Sequence, residues 1–215
     1  MSLSLKHKWA GHIQGLYVVL DPEHCHPEVE WLDACEQALR AGVRVLQLRD
    51  KRSDTRALIE RARALVALCE QAGACCIIND RVDVAMASGA HGVHVGPQDM
   101  SVPDVLHVAP GLLVGASAKS ASMAQALQAQ GAHYLGCGAV FEARASKADA
   151  SAPQGLELIR EVAQVVEIPF VGIGGITQQN ARGVMQAGAH GVAVIRAVIG
   201  QPSPYDAAVS VMSSI

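Results

Sequence analysis

Four segments of the chain repeat one pattern, in which a helical tail closes on Gly or Gly-Ala and a short apolar run follows. The segments are LRAGVRVLQL, MASGAHGVHV, LQAQGAHYLGCG and MQAGAHGVAVI. Repetition at this scale indicates stacked βα units. A glycine after the last helical turn can take the left-handed conformation, which ends the helix and directs the chain back into the sheet.

Adding the other apolar runs to these repeats predicts eight strands. They cover residues 16–20, 43–48, 75–78, 92–95, 113–116, 134–137, 170–173 and 191–194. Helical patterns lie between most of them; in residues 55–71, apolar side chains recur at spacings of three and four. The gaps after residues 78 and 95 are short, so we expect compact units there.

Strands that alternate with helices fit either a closed barrel or a doubly wound open sheet. The near-equal repeats favour closure, and the first strand runs into LDPEHCHPE where a Rossmann-type sheet usually carries GxGxxG. We therefore predict an α/β fold, a (β/α)8 TIM barrel that forms a single domain over residues 1–215. Residues 1–14 are predicted to be an N-terminal extension and residues 200–215 a C-terminal helix.

Composition limits which residue types can fill the core of this domain and which classes of partner it can bind. Hydrophobic residues make up 50% of the chain and aromatic residues only 3%, so the core must consist of Val, Ile, Leu and Ala. The net charge is −3 with scattered basic residues, which gives no electrostatic footprint for nucleic acid. No apolar run approaches the roughly 20 residues of a membrane span, and residues 1–12 are too polar for a secretory signal. We therefore expect a cytoplasmic protein without nucleic-acid or membrane partners.

Cysteines and most histidines are predicted to be structural. The six cysteines contain no CxxC pair and are interpreted as reduced core thiols. His91, His133 and His190 recur at one point of the Gly-Ala-His repeat, at the end of the barrel opposite to function. His94 lies within a strand and is interpreted as an interior residue. The Ala-rich helices fit either a solvent-facing or a dimer-forming surface, so a homo-oligomer stays open.

Polar side chains follow the second predicted strand, at the barrel end where ligands bind. Gln47, Arg49 and Lys51 share one parity and would project from one face if the strand continued. A guanidinium and an ammonium that converge at a barrel mouth fit an anion such as diphosphate, whose oxygens Arg can bind in a bidentate fork. The alternative is a solvated strand end.

Two carboxylates follow adjacent strands of the predicted barrel. Asp80 comes after Asn79 at the end of the third strand, and Asp99 follows the fourth. Mg²⁺ prefers a few carboxylates together with water and substrate phosphate oxygens, which such a pair beside a diphosphate would supply. Each Asp alone also suits a turn or a helix N-cap.

Three further strand ends carry candidate groups. The fifth strand ends in GASAK, which includes Ser117 and Lys119. The seventh runs into paired glycines and Thr177, a plausible cap for a helix beginning near Gln178, and this combination is typical of a phosphate site in this fold. The sixth leads into a polar loop over residues 142–154, which is either a lid or an exposed insertion.

Seven motifs taken in order resemble the motif series of thiamine-phosphate synthases. They are QLRDK, IINDRVDVA, GVHVGPQD, GASAK, the SK of EARASK, VGIGGIT and AGAHGVAVI, and the match runs from residue 16 to about residue 199. The resemblance implies a transferase that joins a pyrimidine diphosphate to a thiazole phosphate and releases pyrophosphate. It also implies Mg²⁺ as the cofactor.

The resemblance also implies a role for each matching residue. The pyrimidine diphosphate would be bound by Gln47, Arg49, Lys51, Asn79, Ser117 and Lys147. The Mg²⁺ ligands would be Asp80 and Asp99, and the thiazole phosphate would contact Gly175, Ile195 and Arg196. Arg49, Lys51 and Lys147 would act in catalysis by neutralising the leaving diphosphate, with Ser117 as a positioning group whose part in proton transfer stays open.

The chain departs from the family pattern mainly on the thiazole side. GPQD stands where members commonly carry GQED, and residues 142–147 (EARASK) replace a Pro-Thr-x-Thr-Lys loop. Arg196 replaces a common Ser, and Lys119 a common His. We therefore expect a remodelled thiazole-phosphate site in which Arg144 and Arg196 serve as phosphate ligands.

Three other functions remain as alternatives. A TenI-like thiazole tautomerase shares the fold, and VFE at residues 140–142 resembles that group. Such an enzyme does not require the residues that would bind a diphosphate and a metal ion, and this chain retains them. A non-catalytic ligand-binding regulator would keep the pocket and lose turnover, and another phosphate-handling barrel would use the same fold for different chemistry.

Overall fold

Eight parallel strands close into one barrel in sequence order, and the first pairs with the last to complete it. The computed structural model describes residues 9–142 and 152–215. The strands are β1 (Gly15–Leu20), β2 (Val45–Leu48), β3 (Cys75–Asn79), β4 (Gly92–Val95), β5 (Leu113–Ala118), β6 (Tyr134–Gly138), β7 (Phe170–Ile173) and β8 (Gly191–Val194). The predicted (β/α)8 barrel is confirmed, with every strand boundary within two residues of its expected position.

A helix follows each strand. The helices are α1 (Trp31–Ala41), α2 (Thr55–Ala72), α3 (Val82–Ser88), α4 (Val102–Val108), α5 (Ala121–Ala129), α6 (Gly155–Ala163), α7 (Ala181–Gln186) and α8 (Pro204–Met212), and a 3₁₀ turn covers Pro22–His24. The compact units expected after β3 and β4 are confirmed, because α3 and α4 have seven residues each. Gly42, Gly73 and Gly89 end three of these helices in the left-handed conformation, and the repeat predicted this for Gly42 and Gly89.

Strand side chains alternate between two separate hydrophobic layers. One layer lies between the sheet and the surrounding helices, and its large members include Leu46, Leu65 and Ile78. The other fills the inside of the barrel and consists of Trp9, Ile13, Tyr17, Val19, Val45, Cys75, Ile77, Leu113, Tyr134, Val171 and Ala193. Polar residues at inward positions therefore lie above this second layer, at the C-terminal ends of the strands.

The three histidines of the Gly-Ala-His repeat tie neighbouring strands together. Each imidazole Nδ1 accepts a hydrogen bond from a backbone N–H of the preceding strand: His91 from Cys76 (2.9 Å), His133 from Val114 (2.9 Å) and His190 from Phe170 (3.3 Å). Each histidine precedes an even-numbered strand, and its partner lies in the odd-numbered strand before it. Their predicted structural role is confirmed.

The cysteines are free thiols, and all except Cys25 are buried, as expected for reduced core residues. Burial raises the pKa of Cys137 to about 12 and that of Cys75 well above its usual range. These thiols therefore stay protonated. Across residues 9–142 and 152–215, every helix is too short or too polar to cross a bilayer.

Candidate active site at the C-terminal end of the barrel

Arg49 lies just past the end of β2 and forms an ion pair with Asp21, which follows β1. Asp21 is 2% exposed, and its second carboxylate oxygen accepts a hydrogen bond from the backbone N–H of Glu23 at 3.1 Å. A buried carboxylate of this kind holds a guanidinium in one orientation. Asp21 was not predicted as a site residue, because an Asp before a proline is typical of an ordinary turn.

Lys51 pairs with Asp80 across the gap between the β2 and β3 ends. Asp80 is 17% exposed and Lys51 52% exposed, so the ammonium reaches in from solvent. The backbone of Asp80 has a φ of 62°, in the left-handed region, and its N–H donates to the carbonyl of His94 at 2.8 Å. The structure thus holds Asp80 against the end of β4.

Asp80 and Asp99 meet, as the sequence predicted for two carboxylates on adjacent units. Burial and a side-chain hydrogen bond with Asp80 raise the pKa of Asp99 above its ordinary value. The backbone N–H of Gly96 donates to Asp99 Oδ2 at 2.7 Å and fixes that side chain. Two adjoining carboxylates that repel each other fit a divalent cation, because a cation would remove the repulsion.

The pair forms an incomplete coordination shell. In the part of the chain that the structure describes, no cluster of three or more His, Cys, Asp or Glu side chains could enclose a metal ion. Mg²⁺ commonly keeps several waters and binds through one or two carboxylates plus substrate phosphates. Asp80 and Asp99 therefore suit an ion that arrives with a phosphate ligand better than a fully enclosed structural metal.

Asn79 and Ser117 lie on the inner face of the barrel near this pair. Asn79 is the last residue of β3 and stands beside His94 of β4 in the strand register. Ser117 is near the end of β5, and its Oγ lies 3.0 Å from His94 Nε2. Both side chains are half-buried.

A chain of hydrogen bonds crosses the barrel interior below the mouth. Gln47 Nε2 donates to Tyr17 Oη at 2.7 Å, and Tyr17 Oη lies 3.0 Å from Tyr134 Oη. Tyr134 Oη is 3.1 Å from His94 Nδ1, and the other ring nitrogen of His94 contacts Ser117. The chain therefore connects Gln47 and Ser117, two residues assigned to the same ligand.

The two tyrosines were not predicted as site residues, although the sequence carries a signal for them. The chain has only three tyrosines, and Tyr17 and Tyr134 both occupy strands at inward positions. Gly115 stands directly beside Tyr134 in the register, and a Cβ at Gly115 would lie 2.0 Å from the Tyr134 ring. An aromatic residue opposite a strand glycine indicates a ring that crosses the interior.

Paired glycines after β7 form a tight contact with the chain after β6. The backbone N–H of Phe141 donates to the carbonyl of Gly174 at 3.0 Å. Gly174 and Gly175 both have positive φ, and a Cβ at Gly175 would lie 2.5 Å from the Glu142 carbonyl oxygen. The glycines thus let two loops approach each other closely at this edge of the mouth.

The predicted cap of the next helix was wrong. Helix α7 begins at Ala181 rather than near Gln178, and Asn180 is its N-cap residue. Asn180 Oδ1 accepts from the backbone N–H of Thr177 at 2.8 Å, and its Nδ2 donates to the Gly175 carbonyl at 3.0 Å. An Asn side chain can replace a backbone partner in a turn, so residues 177–180 close a turn before the helix starts.

The remaining predicted residues lie at the end of β8 or outside the described residues. Ile195 is half-buried and packs against both hydrophobic layers. Arg196 is exposed, and its carbonyl accepts a hydrogen bond from Gln201 Nε2 at 3.0 Å. Lys147, Arg144 and Ser146 fall in residues 143–151, outside the residues that the structure describes.

Comparison with known proteins decides the family. The family model described as thiamine monophosphate synthase matches residues 16–198. The chain belongs to the thiamine monophosphate synthase family. The thiamine-phosphate synthase of Roseiflexus castenholzii is 43% identical over 192 residues, which cover 89% of this chain and 84% of that protein. The thiamine-phosphate synthase of Chloroflexus aurantiacus is 48% identical over 164 residues, 76% of each chain.

A solved structure agrees with the family assignment. The thiamine phosphate pyrophosphorylase from Pyrococcus furiosus superposes with a TM-score of 0.86 and 36% sequence identity, covering 98% of this chain and 96% of that one. The resemblance inferred from the motifs is therefore confirmed for the family and for the fold. The match to the thiamine monophosphate synthase family also spans every residue assigned to the site, from Gln47 to Arg196.

Proposed function

We propose that this protein is a thiamine-phosphate synthase, a transferase that joins 4-amino-2-methyl-5-hydroxymethylpyrimidine diphosphate to a thiazole phosphate and releases pyrophosphate. The observation that carries the proposal is the meeting of Lys51, Asp80 and Asp99 at one edge of the barrel mouth. A cation beside two adjoining carboxylates suits a metal-bound diphosphate. A tautomerase releases no diphosphate and therefore does not need Lys51, Asp80 and Asp99 at this position.

The proposed reaction depends on stabilising a leaving group. The C–O bond between the pyrimidine methylene and the diphosphate breaks, the electron pair leaves with the diphosphate, and the thiazole nitrogen then bonds to the methylene carbon. Arg49 and Lys51 would neutralise the charge that develops on the departing oxygens. Asp21 keeps Arg49 oriented for that task through their ion pair.

Mg²⁺ is the cofactor of this proposal, and Asp80 and Asp99 would hold it. When bound, the ion would supply positive charge to the diphosphate oxygens. When the diphosphate binds, Lys51 would exchange its contact with Asp80 Oδ2 for a contact with the diphosphate oxygens. Lys51 is exposed enough to make that exchange.

The other assignments complete the two substrate sites. Gln47, Asn79 and Ser117 would contact the pyrimidine diphosphate from the inner face of the barrel, and Lys147 would join them as a further cation. Gly175, Ile195 and Arg196 would contact the thiazole phosphate at the ends of β7 and β8. Gly175 packs closely against residues 141–142. We therefore expect Arg196 to contribute more to binding the thiazole phosphate than Gly175 does. We further propose that residues 1–215 act as one domain.

The test is pyrophosphate release by the purified protein with Mg²⁺ and both substrates, together with thiamine phosphate formation. We expect equal amounts of the two products and a loss of at least a hundredfold in Asp99→Ala. Asp83→Ala is the matched control, because Asp83 is an exposed carboxylate on α3 and its removal should leave turnover unchanged.

Two outcomes would overturn the proposal. Tight binding of the pyrimidine diphosphate without release of pyrophosphate would favour a ligand-binding regulator. Conversion of one thiazole tautomer to the other with no need for the pyrimidine substrate or Mg²⁺ would favour a TenI-like tautomerase.

A further inference from the structure

Five side chains form one continuous hydrogen-bonded path through the barrel interior, and its two ends are proposed ligand contacts. The path runs through Gln47, Tyr17, Tyr134, His94 and Ser117, with donor–acceptor distances of 2.7, 3.0, 3.1 and 3.0 Å. Tyr17 and Tyr134 are 3% and 0% exposed, so water has little access to the middle of the path. The two buried phenols must therefore find their donors and acceptors within the path.

The orientation of the Gln47 amide sets the direction of all the other hydrogen bonds in the path. The amide nitrogen of Gln47 has two hydrogens and no lone pair to offer, so it can only donate to Tyr17. Tyr17 Oη lies 3.0 Å from Tyr134 Oη and Tyr134 Oη 3.1 Å from His94 Nδ1, so if Tyr17 accepts that hydrogen, its own hydrogen would go to Tyr134 and that of Tyr134 to His94 Nδ1. A neutral imidazole that accepts at Nδ1 carries its hydrogen on Nε2 and donates it to Ser117 Oγ.

We propose that this buried path has a single direction, which makes Gln47 present its oxygen and Ser117 present its hydroxyl hydrogen to the pyrimidine diphosphate. Tyr17 and Tyr134 are then positioning residues, because they act through Gln47 and Ser117 without touching the ligand. The identity of the ligand rests on the proposed function, whereas the direction of the path does not.

The direction assigns complementary roles to the two ends. The Gln47 oxygen is an acceptor and suits a donor on the ligand, such as the exocyclic amino group of the pyrimidine. Ser117 accepts from His94 and so keeps its own hydrogen for an acceptor, such as a diphosphate oxygen. The opposite orientation of the Gln47 amide would exchange every donor and acceptor and would turn Ser117 into a donor to His94.

The surrounding structure keeps the path intact. Burial raises the pKa of both Tyr17 and Tyr134, so both phenols remain protonated and able to donate. Glycines make room for the rings: a Cβ at Gly136 would lie 3.0 Å from His94 Cε1, and one at Gly115 would overlap the Tyr134 ring. These glycines exclude a side chain that could interrupt the path.

The first experiment measures the tautomer of His94 by ¹⁵N NMR of the ligand-free protein, at a pH well above the ordinary histidine pKa of about 6.5. We expect the hydrogen on Nε2. In Gln47→Glu we expect it on Nδ1, because a carboxylate can only accept from Tyr17 and so reverses each bond in turn. Arg49, two residues along the same face, favours the ionised carboxylate. A hydrogen on Nδ1 in the wild-type protein, or the same tautomer in both proteins, would overturn the proposal.

Two further variants test the path through the His94 tautomer alone, with no measurement of enzyme activity. Gln71→Glu on the exposed face of α2 is the matched control and should leave the His94 tautomer unchanged. Tyr17→Phe keeps the ring but removes the connecting hydroxyl, so adding Gln47→Glu to it should no longer move the His94 hydrogen. A tautomer change that survives in the double variant would show that the signal does not pass through Tyr17. The wild-type spectrum decides the direction even if Gln47→Glu fails to fold.

The second experiment tests positioning in turnover. We expect Tyr134→Phe to lower kcat about tenfold, the equivalent of roughly one hydrogen bond, with the KM for the thiazole phosphate unchanged. Tyr205→Phe on α8 is the matched control, because Tyr205 is 39% exposed and lies outside the path. Unchanged kcat in Tyr134→Phe would overturn the positioning role. If the wild-type protein has no synthase activity, the proposed function fails, and the His94 tautomer still decides the direction of the path.

Discussion

Asp80 carries a backbone conformation that most residues avoid. Its φ of 62° lies in the left-handed region, and in the part of the chain described here it is the one non-glycine residue with positive φ. The short polar side chain of Asp tolerates this conformation better than other side chains do. Backbone strain of this kind concentrates at functional sites, where the surrounding structure holds it in place. At Asp80 this conformation occurs in a residue whose carboxylate contacts Lys51 and Asp99.

Two substitutions of Asp80 distinguish the effect of backbone strain on stability from the effect of losing the carboxylate on turnover. Asp80→Gly and Asp80→Ala both remove the proposed metal ligand, so both should lose Mg²⁺-dependent turnover. Only the Ala variant keeps a Cβ in the left-handed conformation, so the Gly variant should be more stable by about 0.5–1 kcal/mol, after allowing for the greater unfolded-state entropy of Gly. Urea unfolding of the two variants measures the difference.

The matched control for this comparison is Asp83, in the first turn of α3. In regular helix the order reverses, and Asp83→Gly should be less stable than Asp83→Ala by about 0.5–1 kcal/mol. Equal stability of the two Asp80 variants would mean that the Asp80 backbone relaxes to an ordinary conformation in solution.

How far the site could be predicted depends on sequence distance. Gln47, Arg49 and Lys51 follow one strand, and a single apolar run was enough to group them. The partner of Arg49 is Asp21, 28 residues earlier, and nothing local marks it as more than a turn residue. The backbone N–H of Asp80 donates to the carbonyl of His94 in the next unit, a contact that the sequence around Asp80 does not show.

Among the elements, β5 and β6 depend on a glycine that makes room for a ring. A Cβ at Gly115 would lie 2.0–2.4 Å from three atoms of Tyr134, and the two residues are partners in the strand register. Gly115→Ala must therefore shift Tyr134 or separate the strands. We expect a loss of about 1–3 kcal/mol in the free energy of unfolding, together with a reduced kcat, because Tyr134 leaves the buried path.

Gly111→Ala is the matched control for Gly115→Ala, because a Cβ at Gly111 meets nothing within 4 Å. Its free energy of unfolding should stay within about 0.5 kcal/mol of wild type. Denaturant unfolding with steady-state kinetics measures both variants. If Gly115→Ala keeps wild-type stability and kcat, the barrel interior has more free space than the structure indicates.

Strands were easier to predict than the helix that follows β7. Each strand is an apolar run closed by polar or glycine residues, and burial on both faces keeps that run continuous in a parallel sheet. Helix α7 has only six residues, and Thr177 resembles a helix cap as well as Asn180 does. The distinction depends on the hydrogen bond from Asn180 to Gly175, which closes the turn. Local sequence does not show that this turn delays the start of the helix to Ala181.

In the molecule as a whole, the two ends of the barrel have different roles. Proposed ligand contacts occupy the C-terminal ends of the strands. The opposite end is closed by Trp9 and Ile13, which belong to the interior hydrophobic layer. The Trp9 ring stacks on His91 with a centroid distance of 4.0 Å, and His91 in turn accepts the backbone N–H of Cys76. This division follows the general organisation of TIM barrels, in which one face serves function and the other stability.

That division predicts a variant that loses stability and keeps catalysis. Trp9→Ala removes a ring that is 9% exposed from the closed end of the barrel, and we expect a loss of about 3–5 kcal/mol in the free energy of unfolding. Trp31→Ala is the matched control, since the half-buried Trp31 on α1 packs outside the barrel and should cost less. Denaturant titration measures stability, and kcat/KM is measured on the folded fraction.

Because Trp9 lies at the end away from the mouth, kcat/KM should match wild type within about twofold. A large fall in kcat/KM with little loss of stability would show instead that the closed end controls the geometry of the mouth.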